Sequence, residues 1–85
     1  MNTPQIMPAI LLVEDDRLVL HTLAAGLRGA GYRVLESDSA ESAMRVCAET
    51  KPDLALLDMR LSGISGSCFA EWLKNTLDVP FLFLS

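Results

Sequence analysis

The chain has 85 residues, of which 51% are hydrophobic and 21% charged, and its net charge is -4. Such a length can bury one core, so we expect residues 1–85 to form one domain or part of one. The scattered lysines and arginines offer no basic surface for nucleic acid, and no apolar run reaches the roughly 18 residues of a membrane helix. Because residues 1–8 also lack the features of a signal peptide, we expect a cytoplasmic protein that by itself binds neither DNA nor a membrane.

The first predicted element is a strand at Ala9–Val13, an apolar run that suits a parallel strand covered on both faces. It stops at three acids, Glu14, Asp15 and Asp16. Carboxylates are tolerated beside a core only where they face solvent or a cation. These acids therefore mark the carboxyl end of the strand.

A helix is predicted from about Asp16, which could serve as its cap or contribute to a metal site. Its apolar face is formed by Leu20, Leu23, Ala24 and Leu27. Gly29 and Gly31 follow, and glycine readily adopts the positive φ of a helix exit. We expect the helix to end there.

The second strand is predicted at residues 32–36, where polar and apolar residues alternate as at a sheet edge. Asp38 and Glu41 have the spacing of a capping box and predict a second helix over 40–49. Two cysteines, Cys47 and Cys68, have neither CxxC spacing nor a histidine nearby. We interpret both as packing residues of helices, without a zinc site or disulfide.

The third strand, Leu54–Leu57, delivers Asp58 at its carboxyl end, and a loop rich in glycine and serine follows at 62–66. The apolar face of a third helix is predicted from Phe69, Trp72, Leu73 and Leu77. A fourth apolar strand at 81–85 has the composition of an interior strand. The unpaired backbone groups at its free edge would invite pairing with another strand. We therefore expect either a fragment of a larger domain or a sheet completed by a second copy, as a homodimer through strand four.

Alternating strands and helices predict an α/β fold with a mostly parallel sheet. The two most apolar strands, one and three, should be central, which predicts the order 2-1-3-4. The winding then reverses between strands one and three, where ligands of such sheets bind. Glu14, Asp15 and Asp58 should converge in that crevice.

Converging carboxylates repel one another, and a divalent cation relieves the repulsion. A site of oxygen ligands without histidine or thiolate favours Mg2+. Beside the metal, Asp58 could attack phosphorus in line. The pattern therefore predicts phosphoryl chemistry.

Residues 10–16, Ile-Leu-Leu-Val-Glu-Asp-Asp, and the loop from Leu56 to Gly66 resemble the receiver domain of bacterial two-component response regulators. The resemblance covers nearly the whole chain. It implies a flavodoxin-like fold that lacks the fifth strand and the last two helices. It also implies a phosphoacceptor module in signal transduction. Such a module is not an enzyme and at most catalyses its own phosphorylation and the hydrolysis of that phosphoryl group.

The resemblance assigns roles to five residues. Asp58 would be the phosphoacceptor and a Mg2+ ligand, Asp15 a direct ligand, and Glu14 a ligand through water. Arg60 would bind the metal through its backbone carbonyl, and the Ser85 hydroxyl would contact the phosphoryl group. The implied donor is a phosphohistidine of a sensor histidine kinase or phosphotransfer protein, or a small acyl phosphate.

Two departures from the family pattern qualify this expectation. Ser62 stands where the family usually has proline, which should loosen the loop. The family's lysine at the end of a fifth strand has no counterpart in the 85 residues, and Lys51 and Lys74 are wrongly placed to replace it. Weak Mg2+ binding or slow phosphorylation is therefore expected.

Three alternatives remain open. A phosphotransferase of the haloacid dehalogenase type also uses an aspartate nucleophile with Mg2+, but it wants a second acid where Arg60 stands. A flavin-binding module would need a hydroxyl-rich loop in place of Glu14, Asp15 and Asp16. The third alternative is a receiver remnant that acts only in interaction or dimerisation, without phosphotransfer.

Overall fold

The structure is a computed structural model that describes residues 7–61 and 63–84. Ser62 and Ser85 lie outside the described residues, so the loosened loop and the phosphoryl-contacting hydroxyl stay predictions. Within the described ranges, no helix is both long and apolar enough to cross a membrane. The elements in chain order are β1 (Ala9–Val13), α1 (Arg17–Gly29), β2 (Arg33–Ser37), α2 (Ala40–Glu49), β3 (Leu54–Leu57), α3 (Gly66–Trp72), a π-helical turn (Leu73–Leu77) and β4 (Phe81–Phe83).

The four strands form one parallel sheet in the order β2-β1-β3-β4, which confirms the predicted topology. Asp53 contributes to the alignment of the two central strands. Its amide donates to the Ala9 carbonyl at 2.8 Å, and its carboxylate accepts from the Ala9 N–H at 2.7 Å. With the amino ends tied in this way, the carboxyl ends of β1 and β3 finish side by side.

The sheet separates two layers of core. On one face, Leu11 and Val13 of β1 and Leu57 of β3 pack in a cluster with residues of α2 and α3. On the other face, Leu12 packs with Leu20 of α1. Alternating side chains of one strand point to opposite faces, so covering both faces explains the continuous apolar run of β1.

The capping prediction for the second helix was wrong by one residue. Ser39 is the N-cap of α2, and its hydroxyl accepts from the Ser42 N–H at 3.1 Å. Because Ala40 is already helical, Asp38 lies one position too early for this bond. Asp38 instead accepts a hydrogen bond from Arg17 at 3.1 Å.

Some of the other local predictions were confirmed and others were wrong. Gly31 has a φ of +99°, as expected after a helix, and Cys47 is buried. Cys68 is exposed, so its predicted packing role was wrong. Leu23, assigned to the buried face of α1, is 38% exposed, because no element covers that flank of the helix among the described residues. The second strand also begins one residue later than predicted, at Arg33.

Candidate functional site

The carboxyl ends of β1 and β3 bring three carboxylates together. Val13 and Leu57 are register partners, and the N–H of Asp58 donates to the Val13 carbonyl at 3.0 Å. Glu14 and Asp58 thus leave two neighbouring strands at the same level of the sheet. One carboxylate oxygen from each of Glu14, Asp15 and Asp58 lies within 4.8 Å of the others.

Glu14 is the most buried of the three acids, with 8% of the residue exposed. Its N–H donates to the Ser37 carbonyl at 3.1 Å, and its carboxylate accepts from the Asp16 N–H at 3.1 Å. Burial raises the pKa of the Glu14 carboxyl, and the charge of Asp58 adds to the rise, although the Asp16 hydrogen bond opposes it. A cation bound between these acids would offset both effects, because a nearby positive charge favours the ionised carboxylate.

Asp58 is half-buried and Asp15 is exposed, so the site opens to solvent on one side. The N–H of Arg60 donates to Asp58 Oδ1 at 2.9 Å. This turn holds the Asp58 carboxylate at the end of β3 and brings the Arg60 backbone beside it. The ligand role of Arg60 concerns its carbonyl oxygen and stays a prediction.

Asp16 serves as the N-cap of α1. Its Oδ1 accepts from the N–H groups of Leu18 at 3.0 Å and Val19 at 3.2 Å. Between the two roles left open for this residue, the geometry favours the cap. The third acid of the run therefore begins the helix, while the first two form the carboxylate cluster.

Gly66 supports the site in a way that sequence reasoning missed. It is the first residue of α3 and packs on the backbone of Asp58 and Met59. A Cβ at this position would lie 2.8 Å from the Met59 Cα and would also overlap the Asp58 carbonyl. Only glycine lets α3 approach the loop so closely, and the glycine that follows Ser65 in the loop was the available sequence signal.

A polar cavity of about 280 Å³ lies beside the cluster, at the carboxyl end of β2. Its lining includes Ser37, whose buried hydroxyl has no hydrogen-bond partner among the described residues. Glu36 also lines the cavity, and its carboxylate contacts His21 at 2.7 Å and Arg28 at 2.8 Å. The His21 side chain is 68% exposed. These two contacts connect α1 to β2.

The three acids fit a hard divalent cation by the chemistry of their donors. The group contains only carboxylates, which suit Mg2+ better than zinc. One carboxylate oxygen of each acid also lies within 4.8 Å of the others, which is the spacing of a group that could hold a metal ion. Three site residues predicted from the sequence, Glu14, Asp15 and Asp58, thus form one cluster. The predicted role of the Arg60 carbonyl stays a prediction.

Comparison with known families gives one match over most of the chain. The family described as "Response regulator receiver domain" matches residues 10–85. The phosphate regulon transcriptional regulatory protein PhoB of Pseudomonas aeruginosa is 39% identical over 79 residues, covering 89% of this chain and 34% of that protein. The KDP operon transcriptional regulatory protein KdpE of Escherichia coli is 34% identical, covering 93% and 35%. The chain thus spans about a third of the length of these relatives.

Solved structures give the same picture. The non-phosphorylated HemR receiver domain of Leptospira biflexa superimposes with a TM-score of 0.79 at 39% identity, covering 89% of this chain and 62% of that one. TrrA of Thermotoga maritima, solved in complex with Mg2+ and BeF, gives 0.82 at 29% identity, covering 91% and 68%. The chain spans about two thirds of each of these structures.

Proposed function

The chain belongs to the family of response regulator receiver domains, and from that premise we propose that it accepts a phosphoryl group on Asp58. The observation that carries the proposal is the meeting of Glu14, Asp15 and Asp58 within 4.8 Å at the ends of two central strands. Receiver domains are signalling modules rather than enzymes acting on a separate substrate. Phosphorylation of Asp58 would therefore be the signal itself.

Glu14, Asp15 and Asp58 would hold Mg2+, together with the backbone carbonyl of Arg60. When bound, the cation would neutralise the acids and draw charge from the transferring phosphoryl group. The complex of the Thermotoga maritima relative with Mg2+ and BeF supports this assignment. So does the raised pKa of Glu14, whose carboxylate is costly to ionise because it is buried and lies beside Asp58.

The transfer would begin with an Asp58 carboxylate oxygen, held by the Arg60 N–H at 2.9 Å, in line with the phosphorus of the donor. A new O–P bond forms on Asp58 while the donor's bond to phosphorus breaks. The electron pair of the broken bond stays on the histidine nitrogen or the acyl oxygen of the donor. Later attack of water on phosphorus would restore the Asp58 carboxylate and release inorganic phosphate.

The donors proposed are a sensor histidine kinase or a phosphotransfer protein, or a small acyl phosphate, acting in the cytoplasm. The Ser85 hydroxyl would contact the phosphoryl group. These assignments follow from family membership together with the matching residues. The proposal concerns only the 85 residues of this chain and includes no regulatory activity of the longer relatives.

Incubation with Mg2+ and beryllofluoride, followed by amide NMR, tests the proposal directly. We expect shifts of the amides of Asp58, Arg60 and Gly66, because their backbones meet at the site. Asp58→Asn should abolish the response. Asp78→Asn is the matched control, since Asp78 is exposed and adopts a left-handed conformation that asparagine also tolerates.

A covalent test complements the NMR experiment. A small acyl phosphate with Mg2+ should add one phosphoryl group to the wild-type chain and to Asp78→Asn, but not to Asp58→Asn, as read by mass spectrometry. A wild-type chain that gave neither NMR shifts nor a phosphoryl adduct would contradict the proposal. It would favour a receiver domain that acts only through interaction.

A further inference from the structure

The outer edge of β2 lies on the opposite side of the sheet from β4. Among the described residues, β2 pairs with β1 alone. Its first and last residues, Arg33 and Ser37, bond through their backbones to the residues that flank β1, at 3.0 and 3.1 Å. Because successive residues of a strand turn their backbone groups to opposite sides, the N–H and C=O groups of Val34 and Glu36 point outward.

The side chain of Arg28 lies across this edge. Its Nη2 donates to the outward carbonyl of Val34 at 3.1 Å, and its Nη1 contacts Glu36 Oε2 at 2.8 Å. One guanidinium therefore joins the two residues of β2 whose backbone groups point outward. The Arg28 side chain is 50% exposed, so this contact lies at the surface of the molecule.

Two local features hold Arg28 in this place. It belongs to the last turn of α1, and its carbonyl accepts from the Gly31 N–H at 3.0 Å, in the short connection that leads into β2. On the other side of the contact, His21 lies 2.7 Å from the second carboxylate oxygen of Glu36. The carboxylate that Arg28 contacts is thus held toward α1.

Without Arg28, this edge would offer its backbone groups to another strand. The five residues of β2 include neither proline nor lysine, which commonly protect the edges of sheets. An added strand needs the Val34 carbonyl as an acceptor, so it has to displace the guanidinium. The displaced cation would lose its partners beside the new pair of strands, and an unpaired charge is costly to remove from water.

We propose that Arg28 protects the outer edge of β2 and thereby prevents a second copy of this chain from pairing with it. A second β2 is a suitable strand, because the outward groups of Val34 in one copy can bond to those of Glu36 in the other about a twofold axis. Arg28 is therefore a residue that controls assembly. This inference goes beyond the proposed phosphoacceptor function and does not depend on it.

Self-association of Arg28→Ala, compared with Glu36→Gln, tests the proposal. Both variants lose the ion pair, but only Arg28→Ala frees the Val34 carbonyl, so Glu36→Gln is the matched control. In sedimentation equilibrium, Arg28→Ala should associate with a dissociation constant at least about tenfold lower than that of the wild type or Glu36→Gln. Association through any other surface would be common to all three proteins and would not produce this difference.

Amide hydrogen exchange, read by NMR, locates the contact. In Arg28→Ala, the outward N–H groups of Val34 and Glu36 should exchange at least about tenfold more slowly at high protein concentration than at low concentration, because pairing protects them. In the wild type, their exchange should not depend on concentration. The amides of Leu11 and Leu12, in the central strand β1, are the internal reference for an intact fold.

Arg28→Gln is a second, milder variant that keeps the length of the side chain and removes its charge. It should also associate more strongly than the wild type, because a neutral amide is displaced from the edge more easily than a guanidinium. Wild-type behaviour of the folded Arg28 variants would overturn the proposal. Equal association of Glu36→Gln, or association without protection of the Val34 and Glu36 amides, would also overturn it.

Discussion

The N–H of Asp58 donates to the carbonyl of Val13 at 3.0 Å, so the proposed phosphoacceptor is tied to the residue that precedes Glu14. The backbone of the sheet therefore sets the closeness of the acids before any cation binds. Burial is the main cause of the raised pKa of Glu14, and the nearby charge of Asp58 raises it further. Stability and metal binding should consequently respond in opposite directions when one acid is neutralised.

Asp58→Asn should stabilise the metal-free protein while removing its response to Mg2+. It deletes one negative charge from a group within 4.8 Å, and a like-charge pair at about 4 Å costs on the order of 1 kcal/mol in water. Asparagine keeps an oxygen for the Arg60 N–H. Urea unfolding at pH 7 in EDTA should show a gain of about 1 kcal/mol in the free energy of unfolding.

In the same measurement with added Mg2+, the wild-type protein should gain stability and Asp58→Asn should gain much less. Asp78→Asn, which changes an exposed acid away from the cluster, should behave as wild type in both conditions. A loss of stability in Asp58→Asn without metal would contradict the repulsion argument.

Asp16→Ala should destabilise the protein without loss of the metal site. Asp16 caps α1 through two N–H groups, and removal of such a cap costs about 1 kcal/mol. Asp16→Asn should retain most of that stability. Isothermal titration with Mg2+ should show a much smaller loss of affinity for Asp16→Asn than for Asp15→Asn, and equal losses would assign Asp16 to the metal site instead.

Gly66→Ala should disturb the Asp58 loop. The added methyl group would meet backbone atoms that have no room to rotate away, so we expect a loss of roughly 1–3 kcal/mol in unfolding free energy. Gly26→Ala is the matched control in α1, where a Cβ meets nothing within 4 Å, and it should stabilise by about 0.5–1 kcal/mol. Thermal unfolding of both variants measures the contrast, and equal effects would exclude a special contact at Gly66.

Glu36 should contribute a pH-dependent part of the stability. The Arg28 guanidinium, at 2.8 Å, lowers the pKa of Glu36 from its usual 4.5, with a smaller contribution from His21. The unfolded chain then takes up the proton more readily than the folded one. The stabilisation is therefore present above pH 4.5 and is lost as the pH falls through the lower pKa of the folded state.

Comparison of Glu36→Gln with wild type across this pH range measures the effect. The variant should be less stable by up to about 1 kcal/mol at pH 7, the usual range for a surface ion pair. The difference should shrink as the pH falls below 4.5. A difference that stays constant down to pH 3 would show that the ion pair is not its source.

Much of the architecture was predictable from local patterns in the chain. The apolar runs at Ala9–Val13 and Leu54–Leu57 indicated buried strands, and the strand order followed from which runs were most apolar. Predictions that depended on a single position were weaker. Asp38 was assigned the cap that Ser39 provides, because a shift of one residue in the start of a helix changes which side chain reaches its free N–H groups.

The sequence by itself determined the elements, their parallel order and the acids at the strand ends, because these depend on periodicity and on residues that are neighbours in the chain. Only the tertiary structure decided that carboxylate oxygens of Glu14, Asp15 and Asp58 lie within 4.8 Å of one another and that Gly66 rests on the Asp58 backbone. These relationships join segments distant in the chain. Their distances depend on how strands align and how helices pack, and no local pattern encodes that.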